Sequence, residues 1–329
     1  MPEEKKPIVV VGSINIDLVV NTERMPIAGE TLLGKSFQIH PGGKGANQAV
    51  AVARLGYPVR MIGRLGDDSF GDQLREDLGG AGVNVDGVAT SPGSSGVAVI
   101  VVAESGENSI VITPGANALL TPEDVEANMH AIRSAGAVLT QLEIDLDTVE
   151  YLAHVCWREK VPLILDPAPA KKLPAALLRA VAWFTPNEIE AEFFRHASNG
   201  GSGPSTVEAT AKDFLQQGFS GIVLKLGARG AYIAAQDGMS VSVQPFPVKA
   251  LDTTAAGDAF NGAFAVGLLL EKDPVASARF ATAAAALSVT RAGAQPSMPT
   301  RPEVEQLLAT HTNAHAKNSL RSHHDDEKA

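Results

Sequence analysis

Two hydrophobic rhythms run along this chain. Pro7 to Gly12 holds four consecutive Ile and Val residues closed by glycine, the mark of a buried strand. Asp17 to Val20 and Thr31 to Ile39 read as short strands nearer the surface. Gly42 to Gly45 interrupts them. An Ala-rich helix follows from Ala46 to Leu55 and stops at Gly56. Val59 to Leu65 is a strand, and Ser69 to Leu78 a helix with Ser69 placed to cap it. Gly96 to Ala103 and Asn108 to Thr113 flank Glu104-Ser105-Gly106-Glu107 as a hairpin.

Beyond Thr121 the pattern becomes regular. Thr121-Pro122-Glu123-Asp124 opens a helix with Thr at the cap and Pro at the first position. Strands at Val138–Leu142, Pro162–Asp166, Val181–Thr185 and Gly221–Leu226 alternate with helices at Asp147–Trp157, Glu188–Arg195 and Val207–Gln217. This alternation predicts an α/β fold, a central mostly parallel sheet with helices on both faces. The strands of about 15–40 and 96–113 fall outside it and read as a small β lid. Asn199 to Pro204 is a Gly/Ser linker. From about residue 311 to 329 polar and charged residues dominate, and a disordered tail is expected after a domain spanning 1–310. His323-His324-Asp325-Asp326 in that tail has metal-ligating residue types, but reads better as solvated charge.

Composition narrows the function. With 45% hydrophobic and 19% charged residues the 329-residue chain can bury a sizeable core. A net charge of -10 argues against nucleic acid or an anionic membrane as partner. An anionic ligand would need local relief from backbone N–H groups, basic side chains or a metal. Cys156 is the sole cysteine, so no internal disulfide forms, and it reads as a packing thiol. No apolar run suits a signal peptide or a membrane span, and a cytoplasmic protein is expected.

Five stretches carry candidate chemistry. In Asp252-Thr253-Thr254-Ala255-Ala256-Gly257-Asp258, small residues at a helix start leave backbone N–H groups open to an anion. Asp258 in the first turn should stay ionised there. An anion cradle beside a carboxylate base is what phosphoryl transfer to an alcohol requires; a plain helix cap is the other reading. Pro41-Gly42-Gly43-Lys44-Gly45-Ala46-Asn47-Gln48 lets backbone approach a ligand ahead of a helix, yet it is neither a Walker A loop nor a G-x-G-x-x-G turn. It also reads as a simple turn feeding a helix. Asn15 and Asp17 share one side of an extended segment and suit vicinal hydroxyls, or merely make a turn. Asn187 and Glu190 have the spacing of a capping box, or of groups holding water and Mg²⁺. Leu224-Lys225-Leu226-Gly227-Ala228-Arg229-Gly230 ends a strand where open α/β sheets bind ligands, with Lys225 and Arg229 as phosphate candidates, or is a glycine hairpin.

Taken in order, these stretches resemble the ribokinase (PfkB) family of carbohydrate kinases, from about Ile8 to Pro299. Pro167-Ala168-Pro169-Ala170 and Gly293-Ala294-Gln295-Pro296-Ser297 are similar to stretches in its ribose-phosphorylating members. The resemblance implies transfer from ATP to the 5-hydroxyl of D-ribose. It implies that Asn15, Asp17, Gly43, Lys44, Asn47 and Glu143 hold the sugar, with Asp258 as base. The amides of Ala255, Ala256 and Gly257 would form the anion hole. Asn187, Lys225, Leu226, Gly227, Ala228, Arg229, Gly230, Gly257 and Thr282 would contact ATP. Glu190 would act on Mg²⁺ through water, and an activating K⁺ would lie at Asp252, Thr254, Ser288, Arg291, Gly293 and Ser297. The lid of such kinases commonly joins a homodimer. Two departures stand out: Ala255 where glycine is frequent, and Lys225 where a smaller threonine is common. A kinase for deoxyribose, fructose or a nucleoside, a non-catalytic sugar-binding regulator and an unrelated nucleotide-binding α/β protein are the alternatives.

Overall fold

The computed structural model describes residues 5–199, 205–270 and 273–311. In chain order the strands are β1 (Ile8–Val11), β2 (Asn15–Thr22), β3 (Ser36–Gly42), β4 (Val59–Gly66), β5 (Asn84–Ser91), β6 (Gly96–Ala103), β7 (Asn108–Thr113), β8 (Ala137–Thr140), β9 (Leu163–Leu165), β10 (Trp183–Phe184), β11 (Gly221–Lys225), β12 (Ala231–Ala235) and β13 (Ser240–Val243). Nine of them form one sheet in the order β13-β12-β11-β10-β9-β8-β1-β4-β5. Pairing is parallel from β11 to β5 and antiparallel at the β12 and β13 edge.

Both faces of this sheet are covered, which explains why its central strands read as unbroken apolar runs. Val10 and Leu139 face one cluster with Ala263, Phe264 and Ala281 of helices Ala256–Leu270 and Pro274–Ser288. Val9 and Val138 face the other, with Leu152, Phe194 and Phe214. Cys156 is buried in that second layer, and burial pushes its thiol up to about 12. The chain order reverses between β1 and β8. Strands β4 and β5 lie to one side of β1, and β8 to β11 to the other. In open α/β sheets ligands bind outside the carboxyl ends of the strands at such a point.

The expected lid is present as a separate sheet, order β3-β2-β6-β7, with β6 and β7 antiparallel as the hairpin reading requires. The strand expected from Thr31 starts only at Ser36. Its partner β2 ends at Thr22, and Asn21 pairs with Ser36, so apart from the Lys35 N–H, which donates to the Asn21 carbonyl at 2.7 Å, residues 31–35 lie beyond the ladder. The cap of helix Ser69–Gly80 is Asp68 rather than Ser69: in extended conformation, Asp68 accepts from the Gly71 N–H at 2.8 Å. Helix 301–311 reaches one residue past the expected domain end. The remainder of the expected tail, 312–329, and linker residues 200–204 lie outside the described residues. Among the described residues, no helix is long and apolar enough to cross a membrane.

Candidate active site

The carboxyl ends of β1, β8, β9 and β11 converge on the N-terminus of helix Ala256–Leu270. Asp258 sits in its first turn, 4% exposed. Asn47 Nδ2 donates to its Oδ2 at 3.0 Å, and Gln48 Nε2 donates to its Oδ1 at 3.1 Å. Helix Lys44–Arg54 thus fixes both oxygens of the candidate base. Asn47 is itself held, its Oδ1 accepting from Gln295 Nε2 at 3.3 Å.

The helix end was expected to govern the ionisation of Asp258. Burial instead pushes its carboxyl up to about 6, with Lys44 opposing and Asp166 adding to the rise. It remains largely ionised at neutral pH, close to the value that suits a general base. For Lys44 burial works against the charge, but Asp258, Asp166, Glu143 and Glu190 together hold its ammonium above the ordinary lysine range.

On one side of Asp258 polar side chains gather beneath the small sheet. Asn15 is buried, its Oδ1 accepting from Asn117 Nδ2 at 2.7 Å. Asp17, half-buried, is pushed up to about 7 by burial and by the charges of Glu143 and Asp258. Glu143 accepts from Ser13 Oγ at 2.6 Å and from the Lys44 N–H at 3.2 Å. The close backbone approach expected of the nearby glycines also has a partner within the chain. They bring backbone close to the chain itself: a Cβ on Gly43, at φ 87°, would lie 2.7 Å from the Asn15 nitrogen. One on Gly45 would lie 2.7 Å from the Ser13 nitrogen. These glycines dock the helix start against the strand that carries Asn15 and Asp17.

On the other side opens a cavity of 540 Å³. Lys44, Asp166, Asn187, Glu190 and Lys225 line its polar end; Phe246, Val248, Ala286 and Val289 line its apolar end beside Thr282. Gly227, Ala228 and Gly230 also face it. Leu226 and Arg229 do not: they border a separate open groove, and Arg229 pairs there with Glu188. Asn187 and Glu190 form the reciprocal capping box, with the Asn187 N–H donating to Glu190 at 2.8 Å and the Glu190 N–H to Asn187 Oδ1 at 2.9 Å. Burial raises the Glu190 carboxyl although Lys225 opposes it.

Between the polar cluster and the cavity stands the turn Ala255–Gly257. Ala255 has φ 57°, a left-handed conformation that costs an L-residue about 1–2 kcal/mol. The Ala256 N–H reaches the Thr253 carbonyl at a long 3.3 Å, and Ala255 and Gly257 line the cavity beside it. A buried carboxylate at a helix start, with a polar cluster on one side and a half-apolar cavity on the other, is a layout that suits phosphoryl transfer to a small molecule.

Comparison with known proteins decides the family. A model of the pfkB family of carbohydrate kinases matches residues 5–301. The chain belongs to that family. As a pfkB carbohydrate kinase it is a phosphotransferase acting on a sugar hydroxyl. It is 43% identical over 303 residues to a ribokinase of Bacillus subtilis (strain 168), covering 92% of this chain and 99% of the relative. A deoxyribokinase of Salmonella typhi is 37% identical over 307 residues, covering 92% and 98%. The crystal structure of ribokinase from Thermotoga maritima superposes with a TM-score of 0.86 at 39% identity, covering 92% and 99%. Arabidopsis thaliana ribokinase complexed with ribose and ATP gives 0.85 at 37%, with the same coverage.

In this pfkB chain the segments that would hold a monovalent cation lie side by side. Asp252 accepts from the Gly293 N–H at 2.8 Å, and the Leu251 N–H donates to the Val289 carbonyl at 2.7 Å. The Arg291 guanidinium pairs with Glu303 at 2.5 Å, so its charge is matched by a carboxylate. Carboxylate and carbonyl oxygens remain, the donors a hard cation takes. Several site residues escaped sequence reading: Ser13, Gln48, Asn117, Gln141, Asp166 and Gln295. Gln48 was in view inside the glycine stretch, one residue from Asn47. Asp166 sat at a strand end next to Pro167, the position where ligands collect, and that signal could have found it.

Proposed function

We propose that this pfkB-family kinase is an ATP-dependent ribokinase, converting D-ribose to ribose 5-phosphate. The observation that carries the reading is the position of Asp258, buried between the polar side chains of Asn15, Asp17 and Glu143 and the 540 Å³ cavity. The ribokinase relatives, one of them solved with ribose and ATP, support the substrate pair.

In this reading Asn15, Asp17, Gly43, Lys44, Asn47 and Glu143 bind the ribose hydroxyls. Buried polar groups reject an analogue that leaves them unpaired. Asp258 accepts the proton of the 5-hydroxyl. That oxygen bonds to the γ-phosphorus as the bond to the bridging oxygen breaks, and ADP leaves with the electron pair. The backbone of Ala255, Ala256 and Gly257 and the Lys44 ammonium meet the charge on the transferring group. Asn187, Lys225 and the 227–230 backbone hold ATP, with Thr282 near the base; Leu226 and Arg229 contribute through main chain at most.

Two metals belong to the same reading. Glu190, buried at the phosphate end of the cavity, would hold water around Mg²⁺, which offsets phosphate charge when bound. Asp252, Thr254, Ser288, Arg291, Gly293 and Ser297 would hold K⁺ beneath the anion turn. Phe37, Ile39, Val99 and Val111 share the lid face opposite Asp17 and are 43–65% exposed, which suits burial in a homodimer. A cytoplasmic location belongs to the same proposal.

The test is ADP release with ATP, Mg²⁺ and K⁺, comparing ribose, deoxyribose, fructose and adenosine by kcat/KM. Ribose should win. Deoxyribose, the specificity of the Salmonella relative, is the second reading. A win for fructose or adenosine overturns both.

A further inference from the structure

A single amide stands between two buried carboxylates. Gln48 Nε2 donates to Asp258 Oδ1 at 3.1 Å and to Asp166 Oδ2 at 3.0 Å. Its Oε1 accepts from Gln141 Nε2 at 2.7 Å, so the amide cannot flip without losing all three bonds. The other oxygen of Asp166 accepts from Lys225 Nζ at 2.8 Å. The pair is nearly sealed, with side chains 3% and 11% exposed. Lys225 also reaches the anion turn: a Cβ on Gly257 would lie 3.4 Å from its Nζ. A continuous path of polar contacts therefore runs from the phosphate end of the cavity to the base, through Lys225, Asp166 and Gln48. A buried carboxylate is costly unless paired, and removing its partner exposes that cost. Asp166 stands outside the sugar-binding set, yet its charge bears directly on Asp258 and Lys44.

We propose that Asp166 is a positioning residue for Asp258, acting through Gln48, and that Lys225 is shared between Asp166 and the phosphates of the nucleotide, so that filling the cavity changes the charge balance beside the base. This rests on the reading of Asp258 as base and of the cavity as the nucleotide site. With the cavity empty, Lys225 neutralises Asp166. A triphosphate carries more charge than one carboxylate and draws the ammonium toward itself. Asp166 is then less compensated, and its negative charge strengthens Asp258 as a proton acceptor when the phosphoryl donor is in place. The charged groups around Asp258 are Lys44 from helix Lys44–Arg54 and Asp166 after β9, whose charges act on it, and Asp17 from β2, on which its own charge acts; Lys225 from β11 and Glu190 line the same cavity.

The test uses the full-length protein with ATP, Mg²⁺ and ribose, and the variants Asp166→Asn, Lys225→Met, their double and Asp258→Asn. Asp166→Asn should lower kcat about tenfold with the KM for ribose unchanged. Its acid limb of kcat at saturating ATP should move to lower pH by on the order of one unit, because a negative neighbour of the base is gone. Lys225→Met should raise the KM for ATP about tenfold, as a charge-assisted contact is lost. The double variant should show less than the product of the two effects, since both cut one link. An acid limb unmoved by Asp166→Asn, or effects that simply multiply, would overturn the relay. Should Asp166→Asn fail to fold, Gln48→Met serves: it strips a hydrogen bond from the ionised base, and the limb must move to higher pH. Activity surviving in Asp258→Asn would remove the base itself, a failure separable from that of the relay.

Discussion

On the sugar side of Asp258, polar side chains are held by other side chains: Asn15 by Asn117, Glu143 by Ser13, Asn47 by Asp258 and Gln295. On the cavity side, glycine and alanine backbone and apolar surface make up most of the wall, around one polar cluster of Lys44, Asp166, Asn187, Glu190 and Lys225. Side chains locked by hydrogen bonds read a pattern of hydroxyls and resist change. Backbone and apolar surface accept a flat base and a phosphate chain with few fixed partners. In the proposed reading, specificity for the acceptor therefore resides under the lid, and the donor side is the more tolerant half.

The comparison can be broken first at its boundary. Asp258→Asn should lower kcat by about 10²–10⁴-fold while ribose still binds, measured by turnover and by calorimetric titration with ribose. Full turnover would leave the two halves without a shared reacting group. Next, Asp17→Ala removes an acceptor for a hydroxyl. The KM for ribose should rise about 10–100-fold and the KM for ATP stay within about twofold, the range of a hydrogen bond to a charged group. An equal rise in both would erase the division.

Acidity sharpens it further. Asp17 and Asp258 have folded-state values of about 7 and about 6, both above the ordinary carboxylate value of 3.8. A carboxyl raised on folding binds more protons folded than unfolded. Its contribution is therefore present below the unfolded value and lost as pH rises through the folded one. Ligand-free protein should lose melting temperature from these two groups between about pH 4 and 7. Asp17→Asn and Asp258→Asn should melt higher than the parent at pH 8, by scanning calorimetry. A lower melting point would show that the native carboxylates stabilise the fold as well as serving it. The smallest effect belongs to the turn. Ala255→Gly relieves a left-handed alanine but adds freedom to the unfolded chain. Stability should change by less than about 1 kcal/mol, with kcat within about twofold. A large loss of kcat would mean that the methyl itself shapes the anion turn.

Much of this was legible in the chain because motif order carries it. Glycines at 42–45, the Asn187-x-x-Glu190 spacing and the Asp252–Asp258 run each sit at a joint between elements, where residue type is constrained by backbone geometry. The place of Asp258 at a helix start followed from that, while the parallel core and the separate small sheet followed from the order of strands and helices. What was not legible arises through space. Gln48, Asn117 and Gln141 are ordinary polar residues until folding brings 117 to 15 and 141 to 48. Strand β5, with Asn84, Asp86 and Gly87, has too little apolar alternation to stand out and pairs only as an edge of the sheet. The glycines at 43 and 45 were visible, yet their partner was not, because the strand they approach lies thirty residues earlier.

Asn15 and Asp17 lie on β2, which is a strand of the lid and follows the core strand β1 after three residues. Cover and reader are thus one continuous piece of polypeptide. If Asn15 and Asp17 hold the acceptor as proposed, an exchange of lids between two pfkB kinases would carry part of the acceptor preference along with the cover, and a change in how the site closes would also edit what it recognises.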